Sequence, residues 1–143
     1  MGSFGKPKDL FGEYHKEIIS ELKDMMKEVR DEGYAERELN EILMEDVRVR
    51  NEKDYIRLKD REIPATLAGI LKRSGFGKCQ IFKQTSAVPS AEYIGVCRLP
   101  EVITINFDVD TDLKETGTVY LVSVSAKKGG MDSFLLPYYK RVY

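Results

Sequence analysis

The stretch from Pro64 to Pro100 limits what this chain can fold into more than any other. It reads PATLAGILKRSG, then FGKCQIFKQ, a connection TSAVPSA, and EYIGVCRLP. Proline has no N–H to lose at a first helical position, so Pro64 suits the start of a helix. Leu67, Ile70 and Leu71 follow at i, i+3 and i+4 on one face. Lys72 and Arg73 fall in the last turn, where cations meet the exposed carbonyls. Gly75 can take the left-handed cap, with Phe76 placed for the apolar contact that accompanies it. Gln80–Gln84 and Tyr93–Leu99 are β-branched and aromatic runs bounded by turn residues, which predicts a hairpin with a long projecting connection. Pairing about Val88 sets Cys79 opposite Cys97. Intracellular thiols are normally reduced, so the expectation is two free, packed cysteines.

Charge singles out the same stretch. Between Pro64 and Leu99, Lys72, Arg73, Lys78, Lys83 and Arg98 stand against Glu92 alone, a local charge of +4 in a chain of net charge −1. A basic segment on an otherwise acidic body is the footprint of a face that meets phosphate. The run Leu71-Lys72-Arg73-Ser74-Gly75-Phe76-Gly77-Lys78 and the later Tyr93-Ile94-Gly95-Val96-Cys97-Arg98-Leu99 resemble the end of the recognition helix and the return strand of the wing in a winged helix-turn-helix domain. The resemblance implies a DNA-binding regulatory protein. Lys72, Arg73, Lys78, Lys83 and Arg98 would contact phosphates, assisted by Arg48, Arg50, Arg57 and Lys59.

The rest of the chain is read around this unit. Residues 1–8 have no pattern and read as a disordered leader. From Asp9 to Gly33 a helix is predicted, with Phe11, Tyr14, Ile18, Leu22, Met25 and Val29 spaced by three and four. A second helix is predicted over Ala35–Asp46, from Leu39, Ile42, Leu43 and Val47. Val47–Arg50 and Tyr55–Lys59 alternate apolar and basic around Asn51–Asp54, which predicts a hairpin over 47–59. After Pro100, strands are predicted at Val102–Phe107 and Thr118–Val124, joined through Asp108–Gly117. Pro137 then gives the aromatic final segment an edge strand or a bend. The fold class is therefore α+β, a single domain over 9–143, with N-terminal helices followed by a mostly antiparallel β-sheet. Its parts are helical 9–46, a hairpin at 47–59, the helix-plus-hairpin unit at 64–99 and a β-rich 100–143.

Catalytic and metal chemistry find little purchase. His15 is the one histidine, so sites needing several imidazoles are excluded within this chain. Asp108, Asp110 and Asp112 alternate, as oxygen ligands for Mg²⁺ or Ca²⁺ could. An EF-hand loop starting at Asp108 would need glycine where Leu113 stands and glutamate where Val119 stands. That triplet reads as a solvated strand end or turn. The glycines around Lys78 lack phosphate-loop spacing. No enzymatic signature and no cofactor are expected. With 42% hydrophobic and 33% charged residues and no membrane-length apolar run, a soluble cytoplasmic protein is expected. Its expected partner is nucleic acid. The alternative is a protein-interaction module or self-associating dimer, using the first helix and the aromatic C-terminal segment, because Tyr and Phe anchor interfaces.

Overall fold

The first helix ends at Gly33, whose φ of 83° only glycine adopts readily, and the chain turns there into a strand that packs against the helix it has just left. This is seen in a computed structural model that describes residues 16–43, 51–88, 90–98, 101–114 and 117–143. Helix α1 (Lys16–Glu32) buries Ile18, Leu22, Met25 and Val29, the stripe read from the sequence. The leader and the helix start at Asp9 lie outside the described residues.

The predicted second helix is a strand, β1 (Tyr34–Leu43), paired antiparallel with the last long strand. Two things misled the reading. Ala, Glu, Arg and Leu are good helix formers, but pairing in a sheet overrides so small a bias. The i to i+3 spacing of Leu39 and Ile42 is also the mark of a bulge: they stand opposite Val122 and Tyr120, two apart on the partner strand.

The predicted hairpin over 47–59 is also replaced. Residues 44–50 lie outside the description, and α2 (Glu52–Arg57) is a helix whose first turn carries Glu52 and Asp54. Asn51 caps it, its Oδ1 accepting from the Asp54 N–H at 3.0 Å. The alternation in Tyr55–Lys59 was five residues long, too short to outweigh a cap. From α2 the backbone passes through a π-helical turn, Leu58–Glu62, into α3 (Ile63–Leu71). Pro64 explains that turn. It donates no hydrogen bond and crowds the carbonyl four residues back, so the α ladder widens just before it. Pro64 thus sits at the start of α3, as expected, but inside one continuous helical run.

A second π turn, Lys72–Phe76, closes the run at Gly75, with φ 91°, and buries Phe76. A Cβ on Gly75 would stand 3.3 Å from Met26 Cε, so α1 holds the same position close. Strands β2 (Cys79–Gln84), β3 (Tyr93–Cys97), β4 (Ile103–Lys114) and β5 (Gly117–Lys128) follow, then a 3₁₀ turn, Ser133–Tyr138, and β6 (Tyr139–Arg141). The six strands form one antiparallel sheet in the order β1-β5-β4-β3-β2-β6. The α+β class holds, although β1 precedes α2 and α3 instead of following all the helices. The edge strand expected after Pro137 is β6.

One face of the sheet is covered by α1 and α3. Ile81, Tyr93, Ile105, Phe107, Val124 and Ala126 pack there with Leu22, Met25, Ile63 and Leu71. Gly95 lies beneath α3, where its missing side chain leaves Leu71 Cδ1 only 3.2 Å from a Cβ position. The other face carries a smaller cluster, Ile94, Val96, Ala91 and Tyr139, partly roofed by Met131 and Leu135.

Candidate functional site

Among the described residues, the cations singled out from the sequence do not gather into one face. Lys59 and Lys83 lie toward the connecting end of the β2–β3 hairpin, and both are paired with acids. Lys59 Nζ lies 3.0 Å from Glu92 Oε1, and the Tyr93 hydroxyl donates to the Lys59 carbonyl at 3.0 Å. Lys83 Nζ lies 2.9 Å from Asp60 Oδ1. Arg57 is exposed on α2, while Arg48 and Arg50 lie outside the described residues. The second basic ladder expected from a 47–59 hairpin is therefore not formed by Arg57 and Lys59, which belong to helical backbone.

The remaining four come together at the opposite end of the hairpin. Cys79 and Cys97 are register partners, as the sequence implied, but they are joined in a disulfide with Cα atoms 4.3 Å apart. This corrects the expectation of free thiols, which rested on compartment and not on geometry. Lys78 and Arg98 are exposed and stand one residue outside the bonded pair, so both mark the hairpin base. Lys72 and Arg73, also exposed, lie in the π turn that leads from α3 into the same base.

Register adds a fifth cation. Cys79 faces Cys97, Cys97 faces Ile103, and Ile103 faces Lys128, one row across β2, β3, β4 and β5. Exposed Lys128 therefore ends the same rim, and its backbone N–H donates to the Gly33 carbonyl at 3.1 Å. Lys128 lies outside the basic stretch Pro64–Leu99; what joins it to the rim is pairing between segments far apart in the chain. Among the described residues, Glu101 in the β3–β4 connection and Glu32 at the end of α1 are the acids of this rim, fewer than its five cations.

Asp60 has a titration consequence. The hydrogen bond from Lys83 holds its carboxyl below the ordinary range, against the opposing effect of desolvation, and Lys140 and Arg61 add to the lowering. A depressed carboxylate stabilises the fold fully above its unfolded pKa of about 3.9, and that stability is lost as pH falls through the folded value. Asp60→Asn should therefore cost at most about 1 kcal/mol at pH 7, as an exposed pair does. The deficit should vanish in acid. Urea unfolding at pH 7 and pH 2.5 checks this: an unchanged deficit at pH 2.5 contradicts it.

Of the two readings of the aspartate triplet, a strand end or a turn, the turn is the one corrected. Asp108, Asp110 and Asp112 lie inside β4, opposite Ser123, Leu121 and Val119, because both strands run on past the expected connection. Asp108 is exposed, and its Oδ1 accepts from the Glu92 N–H at 3.3 Å. Among the described residues, no three His, Cys, Asp or Glu side chains are placed to hold a metal ion. Nor, among them, is any helix long and apolar enough to cross a membrane. No protein-family model, curated protein or solved structure matches the chain.

Proposed function

We propose that this is a small nucleic-acid-binding protein that holds phosphates through the rim at the base of its central hairpin. The observation that carries the reading is the meeting of Lys72, Arg73, Lys78 and Arg98 at one end of the β2–β3 hairpin, all exposed. The winged-helix resemblance contributes only the order of elements, α3 and then the hairpin. In this fold the hairpin strands are interior, flanked by β4 and β6. Phosphate contacts position a duplex without reading its sequence, so the activity is non-specific binding with a regulatory or packaging use.

A cytoplasmic site of action belongs to this reading. There the disulfide meets a reducing pool, and its survival follows from burial: the two cysteines are 3% and 1% exposed, so an attacking thiolate has no path to either sulfur.

The test compares two variants on a short duplex at 100 mM salt. Replacing Lys72, Arg73, Lys78 and Arg98 together by alanine should weaken binding about a hundredfold. Replacing Lys59 and Lys83, already engaged with acids, should change it less than about threefold. Equal losses, or no binding by the native chain, contradict the reading.

A second reading has one observation behind it. Phe134, Leu136 and Tyr143 are 69%, 53% and 52% exposed, the kind of surface a protein partner or a second copy would cover. The stripe of α1, the other half of that idea, is occupied by the chain's own core. A light-scattering mass of one chain at high concentration counts against self-association.

A further inference from the structure

The sheet face turned away from the helices carries a cleft of about 440 Å³, within the size range of small-molecule sites. Its floor is β3 and β4, at Ile94, Thr104 and Asn106, and its wall is the segment holding Met131, Leu135 and Tyr138. That segment is fixed at both ends. Lys127 Nζ pairs with Asp132 at 3.1 Å, the Thr85 N–H donates to the Tyr138 carbonyl at 2.8 Å, and the Tyr139 hydroxyl donates to the Ala91 carbonyl. The cleft is therefore walled on that side by a fixed segment, and Val88 and Ser90 of the β2–β3 connection also line it.

Its polar groups, which also include the Ser90 and Tyr138 hydroxyls, define what it can hold. Thr104 has spent its hydroxyl on the Gly129 carbonyl, at 2.8 Å. Asn106 donates from Nδ2 to Ser125 Oγ at 3.4 Å, and among the described residues its Oδ1 accepts no hydrogen bond. Lys127 and Asp132, the charged residues of the lining, neutralise each other. An anionic ligand finds no uncompensated cation here, so this cleft is not a second phosphate site. The geometry points to a binding site for a neutral, planar, largely apolar small molecule that donates one N–H or O–H hydrogen bond to Asn106 Oδ1. Apolar walls take the rings, and the open acceptor fixes their orientation.

Indole is the probe, with 1-methylindole, one methyl group larger, as the analogue lacking the donor. In ¹H–¹⁵N spectra of the whole chain, millimolar indole should shift the amide signals of Ile94, Asn106 and Leu135. It should bind about fivefold tighter than 1-methylindole, as expected for one net hydrogen bond. Asn106→Leu should bring the two ligands to equal affinity, and Asn106→Asp, which keeps an acceptor, should restore the preference. If Asn106→Leu does not fold, Met131→Trp serves instead: it fills the cleft from the wall and should abolish both sets of shifts. Absence of shifts with millimolar indole overturns the inference. So do shifts confined to other residues, or equal affinity for the two probes in the native chain. None of these outcomes depends on nucleic-acid binding.

Discussion

Leu71→Ala should lower the free energy of unfolding by about 4 kcal/mol. Leu71 is fully buried at the end of α3, with its Cδ1 over the bare backbone of Gly95. Removing it deletes transfer free energy and leaves a hole that a helix pinned by the turns on either side cannot close. Gly95→Val in the native background should also destabilise, by about 2 kcal/mol, because the new side chain meets Leu71, Ile81 and Phe107. Combined, the two changes should partly cancel. Valine fills the space that leucine vacated, and the double mutant should be more stable than additivity predicts by at least about 1 kcal/mol. Urea unfolding with unchanged slope measures all three. Strict additivity, or a loss under about 1 kcal/mol for Leu71→Ala, means α3 does not rest on β3 as described.

Removing the disulfide, by Cys79→Ala with Cys97→Ala, should cost about 3 kcal/mol and lower the melting temperature by about 10 °C. The cross-link closes a sequence separation of 18 residues, and most of its effect lies in restricting the unfolded chain. Reduction should follow unfolding. Dithiothreitol should leave the folded chain bonded, because both sulfurs are buried, and reduce it readily in denaturant. Two thiols titrating in unreduced, denatured protein would show that the bond is not made, and the stability loss should then shrink to that of two small core truncations.

These two predictions also mark where the sequence was informative. The facing of Cys79 and Cys97 could be read because alternation on both sides of one connection pins a hairpin's register. The stripe of α1 and the stop at Gly33 were equally plain, since helical spacing and a glycine cap agree. The errors arose where a local pattern was short or ambiguous. Leu39 and Ile42 looked helical because a bulge imitates a three-residue step, and Tyr55–Lys59 looked extended because five alternating residues fit either element.

The candidate site was legible in composition but not in arrangement. That Lys78 and Arg98 flank one point follows from the hairpin. That Lys59 meets Glu92 and Lys83 meets Asp60, 33 and 23 residues away, follows only from how the helical run lies across the sheet. Charge counted along the chain singled out nine cations without showing which of them share a surface. In space Lys59 and Lys83 pair with acids at the far end of the hairpin, Arg57 lies on α2, and Lys128 joins the rim. The outer cleft had no sequence signal, since Asn106 and Met131 meet only through the strand order and the return of the C-terminal segment.

The salt dependence of duplex binding tests the phosphate-holding rim most directly. Five contacts, Lys128 included, predict a plot of log K against log salt with a slope of about −4.5, a loss of roughly 500-fold between 50 and 200 mM. The variant lacking Lys72, Arg73, Lys78 and Arg98 keeps only Lys128 and should flatten that slope to about −0.9. A native slope already near zero, or one that the variant leaves unchanged, would contradict the account.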